Sequence, residues 1–435
     1  MALINSKELN KLKEEYQNTL HNQIGEYQLR QLNLLWQEAY STIPYYRELK
    51  TQQKLPGVFE SLEQYISEMP ILTKTILQNP TILTYSRNRP IDYYRITGGS
   101  TASPIQIPAW KSERKSTHLV PWVGRSWYHI HPKDKLFLYW GHSHLLGSGI
   151  RGKLNGFIRE IRDFFQNYVR YSCYNLDENS LKKAGWAIIK ENPKYIIGYG
   201  YALDRLAKVN RELTSYLHKL KIKAVIGAAE SFPFLDSEKA IHEVFNAPVG
   251  MEYGSVETGL IAHTHPDGGY KVVWKSYLLE YHNNGENKEV IVTSLFQRCT
   301  PLFRYKLGDL IKIRDFKQLT GKCSLLAFDC VQGRSNKSVK LPSGRSLHSE
   351  TVTHIIRDQK KVIGYQFVCF SDRVQLNIIL KDQPLDKEEQ QIILNKAQKI
   401  DHELAENLTI VPVEKFEQTI AGKTPMVLYK FSLKN

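Results

Sequence analysis

The sequence predicts an α/β protein in which a large layered α/β domain precedes a small α+β domain. The first observation is that short apolar runs ending on glycine recur between longer, helix-compatible stretches. Such alternation is typical of a sheet covered by helices. The runs are "KLFLYWG" (135–141), "KYIIGYG" (194–200) and "KIKAVIG" (221–227). In folds of this kind ligands bind at the strand ends, where these glycines lie.

The second observation is a change of pattern beyond residue 333. The segments "VIGYQFVCF" and "VQLNIIL" predict a hairpin, and "LTIVPVEKF" predicts a final strand. Between them, "KEEQQIILNKAQKIDHELAENL" predicts one helix. Its apolar face consists of Ile393, Ala397, Ile400 and Leu404. Because a chain of 435 residues has room for two or three domains, we expect a large domain over 1–333 and a small domain over 334–435.

The N-terminal segment predicts helices. Apolar residues recur there at spacings of three and four, which is typical of one buried helix face. These residues are Leu9, Leu12, Tyr16 and Leu20. We interpret them as core contacts without a chemical role.

The formal net charge of +15 favours polyanionic partners. Nucleotide phosphates, nucleic acid, an acidic polysaccharide and an anionic membrane surface all satisfy this condition, and charge alone does not choose among them. Basic residues are frequent in "KSERK" (111–115) and along a later stretch. The later ones are Arg151, Lys153, Arg159, Arg162 and Arg170. We interpret both groups as solvated helix faces rather than docking surfaces.

The sequence predicts a cytoplasmic protein, because it shows no targeting signal and its cysteines do not form the pattern of a disulfide-rich secreted protein. The N-terminus lacks the apolar centre of a signal peptide, and we expect no transmembrane segment. The five cysteines are widely spaced and form no CxxC pair, so we expect reduced thiols rather than a disulfide framework or a four-cysteine zinc site.

The loop "ITGGSTASP" (96–104) is a candidate phosphate site. Glycines allow successive backbone amides to point at one spot, and hydroxyls add further donors, so the loop suits phosphate oxygens. A plain polar turn has the same composition. The loop matches neither the P-loop pattern nor the dinucleotide-binding glycine pattern, and taken alone it leaves both interpretations open.

Four further segments follow this loop in order: "MEYGSVETG" (251–259), "PLFRYKLGDL" (301–310), "GRSNKS" (333–338) and "AGK" (421–423). Together the five resemble the signature series of the adenylate-forming superfamily, in the branch of phenylacetate-CoA ligases and related capsule-biosynthesis proteins. "STIPYYREL", "SLEQYISEMPILTK" and "GAAES" resemble that branch as well, so the likeness covers nearly the whole chain. It implies an ATP-dependent ligase with a large layered α/β domain and a small, mobile C-terminal domain.

The resemblance implies a nucleotide site with named residues. Those expected to bind the phosphates, adenine or ribose of ATP are Thr97, Gly99, Ser100, Thr101, Glu230, Ser231, Tyr253, Gly254, Asp309 and Arg334. Asp309, at what looks like a strand end, would accept hydrogen bonds from the ribose hydroxyls. Glu257 is the expected ligand of Mg²⁺, which prefers hard oxygen donors. Arg304 is expected to order the local structure.

The expected catalytic residues are Lys423, Glu257 and Thr101. A carboxylate that attacks the α-phosphate brings two anions together, and a lysine between them stabilises the charge that develops in the transition state. For the acyl substrate, the resemblance points to "YWGHSHLLGSG" (139–149), with Trp140 and His142 as candidates, and to Gly254.

The acceptor and the degree of activity stay open. CoA, an amine and a hydroxyl group of a small molecule or saccharide are all candidate acceptors, and surface-polysaccharide and secondary-metabolite synthesis are candidate pathways. The phosphate loop departs from the family pattern at Gly98, Ala102 and Ser103, which leaves a catalytically degenerate nucleotide-binding homologue as an alternative. A nucleic-acid-binding protein is a weaker alternative, because no aromatic residues alternate with a basic groove. The oligomeric state is unknown.

Overall fold

The computed structural model describes most of the chain. The described ranges are 5–77, 89–96, 105–140, 149–173, 176–232, 236–284, 287–313, 319–320, 324–334, 338–348, 352, 355–356, 359, 361–381, 383–418 and 424–430. The chain divides into two compact units. The first unit comprises Met1–Thr97, Pro104–Asp134 and Pro248–Gly333, and the second comprises Gly98–Ser103, Lys135–Ala247 and Arg334–Asn435. The predicted division into 1–333 and 334–435 stays a prediction.

Helices and strands alternate over much of the described chain. The helices are α1 (Ser6–Asn18), α2 (His21–Thr42), α3 (Pro44–Gln52), α4 (Leu62–Glu68), α5 (Lys74–Leu77), α6 (Lys111–Thr117), α7 (Val120–Trp127), α8 (Gly149–Phe165), α9 (Glu178–Glu191), α10 (Gly200–Val209), α11 (Thr214–Lys219), α12 (Ser237–Phe245), α13 (Lys387–Ile400) and α14 (His402–Asn407). The strands are β1 (Tyr93–Ile96), β2 (Gln106–Ala109), β3 (Leu136–Tyr139), β4 (Tyr168–Tyr171), β5 (Tyr195–Tyr199), β6 (Ala224–Ala228), β7 (Val249–Ser255), β8 (Gly259–Thr264), β9 (Tyr270–Val272), β10 (Tyr277–Asn284), β11 (Asn287–Ser294), β12 (Tyr305–Lys312), β13 (Leu319–Thr320), β14 (Ser324–Leu325), β15 (Ala327–Phe328), β16 (Cys330–Arg334), β17 (Ser338–Lys340), β18 (Ser346–His348), β19 (Val362–Cys369), β20 (Val374–Leu380), β21 (Leu408–Pro412) and β22 (Val427–Tyr429).

The first unit is built from antiparallel strands and the N-terminal helices. β7, β8, β9 and β15 pair in that order, and β10, β11, β12 and β16 form a four-stranded sheet. β1 pairs with β2, and β1 leads directly into residue 97. The N-terminal helices pack through the fully buried Trp36, whose ring contacts the rings of Tyr46 and Phe303.

The second unit contains a sheet that includes all three of the glycine-ended runs, as predicted, and the structure shows that their strands are parallel. Its strands lie in the order β4, β3, β5, β6. The chain passes from β3 to β4 on one side and then to β5 on the other side of β3, with helices α8 and α9 between the strands. Such a reversal of direction opens a crevice at the carboxyl ends of the two strands beside it, here β3 and β5.

The C-terminal segment has the predicted α+β pattern, with two corrections: β22 follows the strand that was expected to be the final one, and the expected single helix is divided. β19 and β20 form the expected antiparallel hairpin, flanked in parallel by β22 and β21 respectively. The expected single helix is instead two helices, because Asp401 adopts an extended backbone with φ of −162°. Its carboxylate caps α14 by accepting from the backbone N–H of Leu404 at 3.1 Å. Asp is a preferred N-cap residue, and this capping signal lies inside the apolar periodicity.

The N-terminal prediction is correct for Leu9 and wrong for Leu20. Leu9 is buried on α1. α1 ends at Asn18, so Leu20 is not on its apolar face and is 63% exposed. Among the described helices, none combines the length and the apolar character needed to cross a membrane.

The thiols of the described cysteines are unpaired with one another. Cys173, Cys299 and Cys369 are buried, and Cys330 on β16 is exposed. Burial raises the pKa of the Cys173 and Cys299 thiols to about 12 and that of Cys369 to about 11. These thiols are therefore protonated at neutral pH.

Arg304 and Glu280 form a buried ion pair that fastens a loop of the first unit. Arg304 Nε donates to Glu280 Oε1 at 2.7 Å, and Arg304 Nη1 donates to the carbonyl oxygens of Met69, at 2.6 Å, and Ile66. These contacts order local structure. Burial raises the pKa of the Glu280 carboxyl to about 7, while Arg304 opposes the rise.

Glu280 predicts a loss of stability as pH rises. Because its pKa in the folded protein lies above its ordinary value of 4.5, the folded state binds the proton more tightly than the unfolded state does. The contribution of Glu280 to the free energy of unfolding is full below pH 4.5 and is lost as pH rises through about 7. We expect chemical denaturation to show a decrease of about 3 kcal/mol over this window. The decrease should disappear in Glu280→Gln and persist in Glu63→Gln, an exposed control; an equal slope in both variants would refute the assignment.

Candidate active site

Tyr253 and Asp309 form the centre of the site in the first unit. The Tyr253 hydroxyl donates to Asp309 Oδ2 at 3.0 Å, and both side chains are buried. The Tyr253 ring lies edge-on to Tyr270 and Phe328, with centroid separations of 6.1 and 5.7 Å. These contacts fix the ring and its hydroxyl in one orientation. The structure therefore brings together two residues that the sequence assigned to adenine and ribose.

Asp309 lies inside a strand, so the expectation that it ends one is wrong. It belongs to β12, and the pairing of β11 with β12 shifts between Glu289 and Ile291. Two extra residues of β12 fall in this irregularity, where Gly308 has a positive φ of 83°. Such a bulge re-aims a side chain without ending the strand. The pattern of apolar residues does not reveal it.

Gly254 is required by close packing of the backbone. An added Cβ there would lie 2.1 Å from the carbonyl oxygen of Gly259, at a shift in the pairing of β7 with β8. Any side chain at this position would displace the hairpin that carries Tyr253. This contact explains the glycine whether or not it also approaches a ligand.

Glu257 lies in the turn between β7 and β8, and its side chain is buried. Within the described ranges, no hydrogen bond or ion pair reaches its carboxylate. The turn is held by a hydrogen bond of 3.1 Å between the hydroxyls of Ser255 and Thr258. A buried carboxylate without a protein partner is suited to a cation. No group of three or more potential ligand side chains lies around it among the described residues, so substrate phosphates would have to supply further ligands to Mg²⁺, as they usually do.

A buried ionic network lies beneath this turn and was missed by the sequence analysis. Glu113 accepts from Arg95 Nη2 at 2.5 Å, and its other oxygen accepts from the backbone N–H groups of Trp110 and Cys299. Arg298 Nε lies 3.7 Å from Glu113, and Arg298 Nη2 donates to the carbonyl oxygen of Glu257. The network thus connects β1, which enters the predicted phosphate loop, to the Glu257 turn.

The network carries more positive than negative charge. Glu113 and Arg298 are each 1% exposed, and two guanidiniums share the one carboxylate. Burial, reinforced by the neighbouring Arg95, lowers the pKa of Arg298. The basic residues of "KSERK" are exposed, as expected for a solvated face, but Glu113 within it is buried. A Glu three residues after Trp110 signals a helix start and gives no indication of this burial.

In the second unit, aromatic residues meet at the crevice beside β3 and β5. Trp140 follows β3 directly, and its ring centroid lies 4.3 Å from that of Tyr199, the last residue of β5. Trp140 is half-buried and Tyr199 is buried. An aromatic wall at the carboxyl ends of parallel strands is suited to line a small-molecule pocket. Trp140, predicted to contact the acyl substrate, therefore lies at a strand end of the expected kind.

Glu230 and Ser231 follow β6, the next strand of the same sheet. Glu230 Oε1 accepts from the backbone N–H of Tyr201 at 3.1 Å, which orients the carboxylate at the N-terminus of α10. Ser231 is exposed. The carbonyl oxygens of both residues would lie within 3 Å of a Cβ added at Gly200, so glycine is needed there for close packing.

Several predicted site residues lie outside the described ranges. They are Thr97, Gly99, Ser100, Thr101, His142 and Lys423. Arg334 ends β16, and its backbone alone is described. Their roles stay predictions.

The fold of the chain is that of the adenylate-forming ligases, as the sequence predicted. A 2-hydroxyisobutyryl-CoA ligase, in the postadenylation state in complex with R3-HIB-AMP, matches with a TM-score of 0.66 over 93% of this chain and 89% of that chain, at 14% identity. The amide bond synthetase McbA from Marinactinospora thermotolerans matches with a TM-score of 0.52 over 77% of this chain and 67% of McbA, at 15% identity.

Among individual proteins, the chain is similar to Protein CapK of Staphylococcus aureus. The two are 24% identical over 351 residues, which cover 77% of this chain and 74% of CapK. This similarity supports the branch indicated by the sequence. No protein-family model matches the chain.

Proposed function

We propose that the protein is an adenylate-forming ligase that activates a carboxylic acid with ATP. The observation that carries the proposal is the buried Tyr253–Asp309 pair. The turn after Tyr253 adds the buried Glu257, whose carboxylate has no hydrogen-bond or ion-pair partner among the described residues. A fixed aromatic ring with a carboxylate acceptor suits a nucleoside, and a buried carboxylate suits a phosphate-bound cation. The named relatives, a CoA ligase and an amide bond synthetase, support this class of reaction.

In the first step, a carboxylate oxygen of the substrate attacks the α-phosphorus of ATP. The bond from this phosphorus to the bridging oxygen breaks, pyrophosphate leaves, and an acyl-adenylate forms. Asp309 accepts from the ribose hydroxyls, and the ring of Tyr253 packs against adenine. Glu257 would hold Mg²⁺, which neutralises phosphate charge when bound. The network of Arg95, Arg298 and Glu113 has excess positive charge, and Arg95 lies on the strand that enters the predicted phosphate loop, which favours a triphosphate there.

In the second step, a nucleophile attacks the acyl carbon and AMP leaves. Lys423 stabilises the charge that develops in the first step, and Trp140 and His142 contact the acyl group. CoA, an amine or a hydroxyl group would serve as nucleophile. The resemblance of the sequence to capsule-biosynthesis proteins, which the similarity to CapK supports, favours a product used in surface-polysaccharide synthesis.

A pyrophosphate-release screen over aryl, fatty and amino acids, with and without CoA, tests the proposal. We expect release with at least one acid and formation of a thioester, amide or ester when the right acceptor is present. ATP binding without pyrophosphate release from any acid would instead indicate the degenerate homologue suggested by Gly98, Ala102 and Ser103.

Tyr253→Phe is expected to raise the KM for ATP about tenfold with little change in kcat. The variant keeps the ring and removes the hydroxyl that donates to Asp309, a hydrogen bond to a charged group worth about 1.5 kcal/mol or more. Steady-state kinetics measure the effect, with Tyr216→Phe, an exposed tyrosine on α11, as the control. An unchanged KM for ATP would show that the Tyr253 hydroxyl does not position Asp309 for the nucleotide.

A further inference from the structure

Helix α8 (Gly149–Phe165) presents an apolar face to solvent. Large apolar side chains recur on it at positions one, four, seven and eight after Phe157, which places them on one side of a helix. Their exposed fractions are 60% for Phe157, 56% for Ile158, 44% for Ile161, 81% for Phe164 and 81% for Phe165. We call these five residues the α8 apolar face. A surface helix of a globular protein normally turns such a stripe towards the core.

The opposite side of α8 is the one attached to the protein. Asp163 is buried and forms a two-point ion pair with Arg170 on β4, with Arg170 Nη2 3.1 Å from Asp163 Oδ1. α8 therefore has an inverted orientation: its buried acidic residue pairs with the sheet, and its phenylalanines face solvent. The exposed face is therefore set by the fold and is not a frayed end.

The charges around the face favour an anionic partner, and this replaces the interpretation of the basic residues of α8 as a merely solvated face. Arg162 is 49% exposed beside the apolar residues, Arg159 is half-buried, and the helix sequence also contains Arg151 and Lys153. The exposed acid on the helix is Glu160. Basic residues outnumber the exposed acid on this helix, so an anionic surface satisfies more of these charges than a second copy of the same face does. Nucleic acid would not need the phenylalanines.

We propose that the α8 apolar face binds the surface of an anionic lipid membrane. A helix with phenylalanine and isoleucine on one side and arginine beside them lies in the plane of the interface, with its apolar side chains in the acyl boundary. The basic residues then contact the lipid phosphates. The inference does not depend on the proposed ligase activity.

Flotation of the full chain with lipid vesicles tests this proposal. We expect binding to vesicles that contain phosphatidylglycerol, weaker binding at high salt, and little binding to vesicles of phosphatidylcholine alone. The double change of Phe164→Ser and Phe165→Ser should weaken binding at least about tenfold. Arg162→Gln should weaken it about fivefold, since one basic residue near the surface contributes about 1 kcal/mol.

Matched control variants distinguish binding by the α8 apolar face from non-specific binding by other exposed side chains. Trp186→Ser replaces a 51% exposed aromatic residue on α9, and Lys239→Gln replaces an exposed lysine on α12; neither should change binding. Because the two phenylalanines are exposed, their replacement should leave the thermal unfolding midpoint nearly unchanged.

Failure of the wild-type chain to float with the anionic vesicles, or equal flotation by the serine variant, would overturn the proposal. Self-association abolished by the serine variant, without vesicle binding, would assign the face to a second copy instead.

Discussion

Lys423→Ala is expected to lower the rate of acyl-adenylate formation about 10²–10³-fold. Removal of one preorganised group that stabilises charge in a transition state typically costs this much. The substrate carboxylate and the α-phosphate are both anionic, so without the ammonium group their approach is opposed at the step that forms the new bond. Single-turnover measurement of pyrophosphate release, with an acid found in the screen, isolates this step from transfer to the acceptor.

Two comparisons make the result specific. Lys399→Ala replaces an exposed lysine on α13 and should retain full activity. Lys423→Ala should still bind ATP, because the residues proposed to hold adenine, ribose and Mg²⁺, which are Tyr253, Asp309 and Glu257, belong to the first unit. Equal single-turnover rates for the wild type and Lys423→Ala would exclude the proposed role.

Glu113→Ala is expected to destabilise the first unit by about 3–5 kcal/mol. Breaking a buried ion pair leaves an uncompensated charge in the interior. Here the loss is compounded, because Arg95 and Arg298 would face each other without the carboxylate between them. Two backbone N–H groups, those of Trp110 and Cys299, also lose their acceptor. Chemical denaturation measures the effect.

Glu113→Gln separates charge from hydrogen bonding. The amide oxygen can still accept from the two backbone groups, so this variant should be less destabilised than Glu113→Ala. Since the network connects β1 to the Glu257 turn, we also expect weaker ATP binding in Glu113→Gln. Glu14→Ala, an exposed change on α1, should alter neither property. A Glu113→Ala protein as stable as the wild type would show that the two arginines do not need this carboxylate.

The sequence predicted the elements whose apolar pattern is local. Each of the three glycine-ended runs is a strand of the parallel sheet, and the hairpin of β19 and β20 forms as expected, because alternation and strand length identify such elements directly. The break at Asp401 was missed because the apolar spacing continues across it, whereas a single capping carboxylate decides where one helix ends and the next begins.

The sequence predicted residues of the candidate site but did not predict the contacts that support them. Tyr253 and Asp309, 56 residues apart, meet in the first unit. The bulge that aims Asp309 depends on pairing with β11, and the burial of Glu113 depends on Arg298, which lies 185 residues further along the chain. No periodicity in the sequence reports such long-range partners. The apolar face of α8 shows the same limitation, since spacing identifies the stripe and only the structure shows that it points outwards.

The burial of the cysteines gives the protein a distinct reactivity towards alkylating reagents. Only the thiolate attacks such reagents, so Cys173, Cys299 and Cys369 should resist modification while the chain stays folded. Cys330 is accessible and should be modified first among the described cysteines. Cys173, Cys299 and Cys369 should react only when the chain unfolds, so the number of alkylated cysteines would report how far the interior has opened.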